Sequence, residues 1–379
     1  MGLTSLGAVV LFLHNRYRTT GGEERVVEDL LWLVREHLGE DAELLERDSA
    51  RLGRARAAAG LLRGGLDPDD VGAAVRRTRA RVVHAHNLNP AFGWRALAAA
   101  RAAGARVVLH LHNYRLVCAV GTCFTRGEDC TRCHGRDTAP GIALNCRGGT
   151  GPEAVVYGAA LALYQRRLTG HADAVVVPSR AALERLGALR APLDRPRVRI
   201  VAHPLRAFAP EPAVAPGGPA LVVSRLAPEK GVDVAVEACR RAGVPLLVAG
   251  EGPERAALER GAAGADVTFL GRVPDAELAA LRARAGVAVV PSRSAETFGL
   301  AAAEAMAAGL PVAASRIGAL SDLVDEAGLA PQGDPAALAE VIARRRGDTT
   351  AAAAGLARVR EVCAPQSVAS ALAAAYDGQ

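Results

Sequence analysis

Lysine is almost absent from this chain of 379 residues, in which 45 of the 46 basic residues are arginine and the remaining one is Lys230. Aromatic residues make up only 3% of the chain, and they are not interleaved with the arginines as in nucleic-acid-binding modules. No Walker-type glycine-lysine motif occurs, and "GEGPER" (250–255) lacks the third glycine of a dinucleotide-binding fingerprint. These absences argue against a nucleic-acid partner and against two common types of nucleotide site.

Long apolar runs are missing as well. The longest weakly charged stretch, residues 298–315, contains Glu304, Gly309 and Pro311, so we expect no membrane-spanning helix. Residues 2–13 are apolar but have neither a basic leader nor a small-residue cleavage site. That stretch predicts a buried first strand and a cytoplasmic location.

The charge is unevenly distributed along the chain, whose net formal charge is +6. Residues 1–205 hold 29 arginines and 20 acidic residues, a net +9, while residues 206–379 hold 17 basic and 20 acidic residues, a net −3. A basic first half fits an anionic substrate or peripheral contact with the inner face of a membrane. It equally fits solvated arginine side chains.

Short apolar runs alternate with helical patterns, which is typical of parallel sheets covered by helices on both faces. The predicted strands are 8–13, 82–85, 106–111, 174–177 and 198–202, then 220–223, 246–249, 267–270, 287–290 and 312–314. The predicted helices include 24–38, 232–241, 275–285 and 300–308. The pattern restarts after residues 203–219, which contain five prolines and no periodicity. We therefore predict an α/β protein with two doubly wound, Rossmann-like domains, 1–205 and 206–379, facing each other across a cleft.

Three of the predicted strands are each followed by a histidine and an asparagine: His14 and Asn15, His86 and Asn87, His112 and Asn113. Ligands of open α/β sheets bind beyond the carboxyl ends of the strands. Histidine and asparagine also suit turns and caps, but three such pairs favour a shared site at this edge.

Two glutamates, Glu296 and Glu304, stand eight positions apart in "ETFGLAAAEAMAAGLPVAAS". If a helix begins near Phe298, they lie about two helical turns apart on one side. Only alanine, methionine, leucine and glycine surround Glu304, so its carboxylate is predicted to be buried and to need a partner. That partner is either a sugar diol, which donates two hydrogen bonds, or an arginine or amide of the chain itself.

The same stretch resembles the E-x7-E signature of the family-four retaining glycosyltransferases, which have the two-Rossmann-domain (GT-B) fold. "SRLAPEKG" (224–231) resembles that family's arginine-lysine segment, although Ser224 stands where glycine is common. "GEGPER" resembles the loop after the second strand, and "FLGRV" (269–273) resembles the nucleotide-base loop. "GGEE" (21–24) resembles the glycine loop after the first strand. The matches follow the family's order and span nearly the whole chain.

The resemblance implies a nucleotide-sugar donor bound by the domain 206–379 and a hydroxyl acceptor bound by the domain 1–205. It implies that Arg225 and Lys230 hold the donor's diphosphate. Glu296 would bind the transferred sugar and Glu304 the ribose, while His112 would contact the donor sugar and phosphate. The other implied donor-binding residues are Gly21, Gly22, Gly250, Gly252, Leu270, Gly271, Val273, Phe298, Gly299 and Leu300.

The single lysine acquires a candidate explanation from this resemblance. A planar guanidinium donates hydrogen bonds to two phosphate oxygens at once, whereas an ammonium is a compact point charge on a flexible side chain. If the diphosphate site requires the point charge, arginine cannot replace Lys230. Chance retention of one lysine is the alternative.

Transfer with retention of configuration and without a catalytic metal is also implied by the resemblance. The alternatives are a nucleotide-sugar epimerase or phosphorylase on the same fold, or a non-catalytic binding subunit. The nucleotide (UDP, GDP, ADP or dTDP), the sugar and the acceptor (glycan, lipid or natural product) stay open.

Five of the seven cysteines lie between residues 118 and 146. Cys118, Cys130, Cys133 and Cys146 have the number and spacing of a tetrahedral structural zinc site, which would hold the long loop after His112. Cys123 and His134 are substitute ligands. Disulfides, which a reducing cytoplasm disfavours, and unlinked thiols are the alternatives. A subset of the resembled family carries a similar cysteine-bearing "HNYRLVC" loop.

Overall fold

A computed structural model describes residues 9–17, 21–148 and 151–378. The first residue of the predicted strand 8–13 and most of the apolar stretch 2–13 lie outside these described residues. Contacts divide the chain into two compact units, which are Met1–Gly121 with Thr131–Pro204 and Pro365–Gln379, and Thr122–Cys130 with Leu205–Ala364.

The strands are β1 (Val9–Arg16), β2 (Asp41–Asp48), β3 (Ala80–Ala85), β4 (Arg106–His110), β5 (Phe124–Thr125), β6 (Glu128–Asp129), β7 (Ala174–Val177), β8 (Val198–Ile200), β9 (Ala220–Val223), β10 (Leu246–Ala249), β11 (Val267–Gly271), β12 (Val287–Val290), β13 (Val312–Ser315) and β14 (Leu329–Ala330). The α-helices are α1 (Gly22–Leu33), α2 (Arg54–Arg63), α3 (Pro68–Thr78), α4 (Gly93–Ala102), α5 (Ala139–Ala143), α6 (Gly151–Gly170), α7 (Arg180–Ala188), α8 (Val232–Ala242), α9 (Arg255–Gly261), α10 (Asp275–Arg284), α11 (Leu300–Ala307), α12 (Leu320–Leu323), α13 (Pro335–Arg345), α14 (Thr349–Cys363) and α15 (Pro365–Asp377).

The first unit is built on a parallel sheet with the strand order β2-β1-β3-β4-β7-β8. Its inner strands are continuous apolar runs because helices cover both faces of the sheet; all four residues of β7 are buried, for example. The chain leaves β1 first to one side and then to the other. The gap between the ends of β1 and β3 is therefore the topological switch point of this sheet.

The second unit has a parallel sheet in the order β11-β10-β9-β12-β13-β14. This is the order of the classic dinucleotide-binding fold, and its switch point lies between β9 and β12. Leu246 and Val248 of β10 and Val287 and Val289 of β12 are buried in a core together with residues of α8 and α13. The loops that follow β9 and β12 are consequently neighbours at the carboxyl edge of the sheet.

The proline-rich stretch after β8 is attached to the second unit over much of its length. Ala209 donates a backbone hydrogen bond to Ala307 (2.7 Å), and Ala213 donates one to Gly309 (3.1 Å). The division between the units falls at Pro204 and Leu205, beside the predicted boundary.

The last helix requires a correction to the predicted domains. The sequence assigned residues 365–379 to the second domain, but α15 belongs to the first unit. Arg106 Nε donates to the carbonyl of Ala375 (3.2 Å), and the Tyr376 hydroxyl hydrogen-bonds to His84 Nδ1 at 2.8 Å. Leu372 and Tyr376 lie on the buried face of α15. This apolar face explains why α15 packs against the first unit.

None of the helices in the described part of the chain is long and apolar enough to cross a bilayer.

Replacement of Leu372 by alanine tests the placement of α15. Leu372 is fully buried, so Leu372→Ala is expected to lower the free energy of unfolding by about 2–5 kcal/mol through lost burial and a cavity. The matched control is Val362→Ala on α14, because Val362 is 41% exposed. Chemical denaturation measures both changes, and equal small losses would contradict the packing of α15.

Candidate functional site

The loop after β9, residues 224–231, is called the Lys230 loop here. It ends in a 3₁₀ turn, Pro228–Lys230, which is closed by Gly231 at φ 64°. The carbonyl of Glu229 accepts a hydrogen bond from the amide of Arg293 at 2.8 Å. A Cβ atom on Gly231 would lie 2.2 Å from the carbonyl oxygen of Pro291. The Lys230 loop is therefore fastened to residues 291–299, which follow β12 and are called the Glu296 loop.

Lys230 and Glu296 meet across the switch point. The Lys230 ammonium lies 2.7 Å from Glu296 Oε1, and the Ser292 hydroxyl donates to the same oxygen at 2.6 Å. Burial raises the pKa of Glu296, but the charge and hydrogen bond of Lys230 and the hydrogen bond of Ser292 outweigh it and leave the pKa below its usual value. Glu296 is thus held as a carboxylate, with a cation beside it, at the edge where α/β sheets bind ligands.

Arg225 stands at the open side of the Lys230 loop. Its guanidinium forms an ion pair with Glu229, four residues further on. The Arg225 side chain is 51% exposed, whereas that of Glu229 is 12% exposed. The guanidinium is therefore accessible to an anion, while Glu229 holds it close to the loop that carries Lys230.

Two glycines after β10 allow the neighbouring loop to approach the Lys230 loop. A Cβ on Gly250, at φ 150°, would lie 1.8 Å from the carbonyl oxygen of Ser224. A Cβ on Gly252 would lie 2.1 Å from that of Leu226. No side chain fits either gap. These two glycines, which the sequence predicted to bind the donor, allow the backbone of the loop after β10 to pack against the segment that carries Arg225.

The predicted base loop adjoins Gly250. The amide of Gly250 donates to the carbonyl of Gly271 at 2.7 Å, and Gly271 has φ 70° at the end of β11. Leu270 and Val273 are half-buried beside it. The loops after β9, β10 and β11 are thus joined by main-chain contacts.

Helix α11 begins where the sequence placed its start. Phe298 is buried, Gly299 caps the helix at φ 84°, and Leu300 is the first helical residue. A Cβ on Gly299 would lie 2.8 Å from Leu320 Cδ2. The amides of a helix's first turn point out of its N-terminus, so this end of α11 favours an anion.

Glu304 lies on α11 and has a partner within the chain. Arg282 Nη2 on α10 donates to Glu304 Oε2 at 2.6 Å, and both side chains are largely buried. Of the two partners that the sequence left open, the arginine is the one observed. A carboxylate accepts more than one hydrogen bond at a time.

In the first unit, Gly21 and Gly22 form the start of α1. The Gly21 amide donates to Glu24 Oε2 at 2.8 Å, and Glu24 Oε1 accepts from the Tyr17 amide at 3.2 Å. Gly21 has extended backbone, and a Cβ there would meet nothing nearer than Glu24 Oε2 at 3.6 Å. The backbone conformation at position 21 therefore does not itself require glycine.

Histidines from the ends of three strands, β3, β4 and β8, form a stack on one face of the first sheet. The histidine stack consists of His84, His86, His110, His112 and His203. His112 is tightly packed in it: its ring centroid lies 4.1 Å from that of His110, and its Nε2 lies 2.7 Å from His86 Nδ1. Burial and the neighbouring imidazoles hold the pKa of His112 well below its usual value, so this ring is neutral at pH 7.

The three predicted histidine-asparagine pairs do come together. The ring centroids of His14 and His86 are 6.4 Å apart, and those of His86 and His112 are 5.0 Å apart. Asn87 Nδ2 donates to the carbonyl of Asn15 at 2.6 Å, which ties two of the loops together. The asparagines at the ends of β1 and β3 thus hold their two loops together, while the histidines pack against one another.

Comparison with known families decides the assignment. A model described as "Glycosyl transferase 4-like domain" matches residues 2–206, and one described as "Glycosyl transferases group 1" matches residues 219–347. The first match covers more than half of the 379 residues. The chain belongs to the family-four glycosyltransferases.

Curated relatives match parts of this glycosyltransferase. A GDP-mannose-dependent alpha-(1-6)-phosphatidylinositol dimannoside mannosyltransferase of Mycobacterium tuberculosis is 41% identical over 125 residues, which are 31% of this chain and 32% of the relative. A 2-deoxystreptamine glucosyltransferase of Streptomyces kanamyceticus is 39% identical over 158 residues, 38% of this chain and 41% of the relative. The matched regions thus span 32% and 41% of these two relatives, less than half of either.

Solved structures confirm the two-Rossmann-domain (GT-B) fold. Sucrose-phosphate synthase from Thermosynechococcus elongatus aligns with a TM-score of 0.69 at 18% identity, covering 98% of both chains. HepE from Anabaena, in complex with UDP-glucose, aligns with a TM-score of 0.63 at 17% identity, covering 98% of this chain and 100% of that one.

The cysteines of this glycosyltransferase are distributed over both units. Cys118, Cys133 and Cys146 belong to the first unit, and Cys130 follows the β5–β6 hairpin, which groups with the second. Within the described ranges, the groups of three or more potential metal ligands lying within 4.8 Å of one another consist of histidines alone. The cysteine zinc site stays a prediction.

Replacement of Lys230 by methionine tests the ion pair. Without the ammonium, burial dominates, and Lys230→Met is expected to raise the pKa of Glu296 above its usual 4.5. Because the wild-type pKa lies below 4.5, the pair stabilises the fold above that pH and is lost as the pH falls through the lower value. The difference in unfolding free energy between wild type and variant should therefore be largest at neutral pH and shrink below 4.5.

Carboxyl-carbon NMR titration measures the pKa, and denaturation at each pH measures the stability difference. Arg241→Met is the matched control, because Arg241 forms an exposed ion pair with Glu237. A stability difference that stays constant across the pH range would rule out the pairing.

Proposed function

We propose that this glycosyltransferase moves a sugar from a nucleotide-diphosphate donor to an acceptor hydroxyl with retention of anomeric configuration. The observation that supports this most is the position of Lys230, 2.7 Å from Glu296 at the switch point of the second sheet. A cation and a carboxylate lie together there, and in this proposal a diphosphate joined to a sugar binds at the same edge.

In this proposal, the diphosphate is bound by three positive groups of the second unit. Arg225 presents a half-exposed guanidinium, Lys230 presents an ammonium, and the N-terminus of α11 presents backbone amides. Fixed positive charge near the bridging oxygen stabilises the nucleoside diphosphate as it leaves. With no donor bound, Glu296 neutralises Lys230, so the ammonium is not left buried without a counter-charge.

The bond changes balance without a covalent enzyme intermediate. The acceptor oxygen forms a bond to the anomeric carbon on the face from which the diphosphate departs. The bond from that carbon to the phosphate oxygen breaks, and the acceptor's proton passes to the departing oxygen. His112, neutral at pH 7, would contact the donor sugar and phosphate rather than donate a charge. Glu304 would accept a hydrogen bond from the ribose in addition to that from Arg282.

No catalytic metal is part of the proposal. Arg225 and Lys230 would supply the charge that a divalent ion supplies in metal-dependent transferases. The chain has an Asp-x-Asp sequence at 67–69, but it lies at the start of α3, where Asp67 pairs with Arg56 at 3.1 Å. Asp67 is therefore engaged in a surface ion pair beside a helix of the first unit.

The remaining details are also proposals. The relatives include enzymes named for GDP-mannose, and structural neighbours were solved with UDP or UDP-glucose, so both nucleotides belong in any donor screen. A structural zinc site at the cysteines, a cytoplasmic location and peripheral membrane contact by the basic residues 1–205 remain predictions.

A donor screen tests nucleotide-sugar binding. Thermal shift of the full chain with UDP-, GDP-, ADP- and dTDP-sugars is expected to show stabilisation by one nucleotide class, worth about 2.7 kcal/mol at a hundredfold excess over the dissociation constant. Lys230→Ala and Glu304→Ala should each abolish this shift, whereas Arg241→Ala should retain it. If both site variants kept the shift, the assigned donor site would be wrong.

Replacement of Lys230 by arginine tests whether a point charge is required. Lys230→Arg keeps the positive charge but not the compact ammonium, so kcat/KM is expected to fall about 10- to 100-fold, less than for loss of the whole cation. The melting temperature should change little. Product analysis by NMR reports the anomeric configuration, and unchanged turnover would show that the lone lysine has no special role.

A further inference from the structure

The buried face of the first sheet carries histidines where such a sheet normally carries aliphatic side chains. His84 lies in β3, and His86 directly follows that strand. His110 is the last residue of β4, and His112 lies two residues further on. Side chains two apart on a strand point to the same face, so each strand places two imidazoles there. His84, His86 and His110 are at most 3% exposed.

The hydrogen bonds of these three rings leave nitrogens available. His84 Nδ1 bonds to the Tyr376 hydroxyl at 2.8 Å, and His86 Nδ1 bonds to His112 Nε2 at 2.7 Å. Within the described part of the chain, the buried Nε2 atoms of His86 and His110 have no hydrogen-bond partner. Burying a polar atom without a partner costs free energy, so Nε2 of His86 favours a ligand.

We propose that His84, His86 and His110 form a binding site for a divalent transition-metal ion such as Zn²⁺, Co²⁺ or Ni²⁺. One ring nitrogen from each of them lies within 4.8 Å of the others. His84 Nε2 and His110 Nδ1 are 3.2 Å apart, close to the roughly 3.3 Å that separates two nitrogens on one tetrahedral zinc ion. A small rotation of the rings would replace that hydrogen bond by two metal–nitrogen bonds.

The surroundings match those of histidine metal ligands in other proteins. Such a ligand usually gives its second ring nitrogen to a hydrogen bond, which fixes the ring's orientation. Tyr376 has this role for His84, and His112 has it for His86. Three imidazoles select zinc, cobalt, nickel or copper over magnesium and calcium, which require oxygen ligands.

A cavity beside His86 and His110, two of the three rings, provides room for a fourth ligand. It measures about 50 Å³ and is lined by His86, His110 and His112, together with Glu23 and Arg115. This volume accommodates at least one water molecule. The carboxyl group of Glu23 lines the same cavity, where the guanidinium of Arg115 opposes the ion's charge. The site is thus a three-histidine centre with one open position.

A neighbouring group, His110 with His112 and His203, meets the same distance limit and shares His110. The proposal places the ion on the first group, because His84 and His86 have both a buried ligand nitrogen and an orienting partner. Variants of His84 and of His203 separate the two groups.

The experiment uses the full chain with Cys130→Ser and Cys133→Ser, which removes the competing cysteine site. After treatment with chelator, it is titrated with Co²⁺ by calorimetry and visible absorption. We expect one ion per chain, with visible bands of a tetrahedral site and no sulfur-to-cobalt charge-transfer band. His84→Gln and His110→Gln should weaken binding about a hundredfold, and Tyr376→Phe about tenfold as an orienting partner.

His171→Gln is the matched control, because His171 lies outside the histidine stack and packs against Trp94. His203→Gln should retain binding. Loss of the ion in His203→Gln with retention in His84→Gln would overturn the assignment. If the histidine variants do not fold, the Cu²⁺ electron paramagnetic resonance spectrum of the parent chain counts the nitrogen ligands directly. Fewer than three nitrogens, or no binding of Co²⁺, would refute the site.

Discussion

The ion pair between Lys230 and Glu296 joins the two halves of the second sheet at the point where its strand order reverses. A parallel sheet of this order leaves its switch point open, because the loops on either side turn away from each other. Here the Glu229 carbonyl, the Gly231 backbone and the ammonium of Lys230 all connect the loop after β9 to the loop after β12. The charged site and the connection between these two loops therefore depend on the same contacts.

Main-chain packing imposes the second constraint. Gly250 and Gly252 bring the loop after β10 so close to Ser224 and Leu226 that a methyl group would collide with a carbonyl oxygen. A family motif that is read as ligand-binding therefore also encodes loop-to-loop contact. The ion pair of Arg282 with Glu304 has the same double character, since it satisfies a buried carboxylate and holds α10 near α11.

The sequence predicted most strands because their apolar runs are continuous, as in β7 and β12. It missed β2, "DAELLERD", since an edge strand is paired on one side only and tolerates charged residues. Among site residues, Lys230 was conspicuous by its rarity. Arg282 gave no signal because the chain has 45 arginines, and Ser292 and Glu229 act through contacts that only the folded loops create. Likewise, His84 and His110 became noticeable only when β3 and β4 were side by side.

The return of α15 to the first unit bears on how the molecule is made. A ribosome releases residues up to 204 of the first unit long before it releases residues 365–378, and residues 205–364 of the second unit are synthesised in between. Until then, the sheet face that bears His84 lacks the helix whose Tyr376 covers it. The unit that emerges first is thus the last to be completed. While the second unit folds, the sheet face that bears His84 is not yet covered by α15, and such exposed surface favours aggregation of the nascent chain.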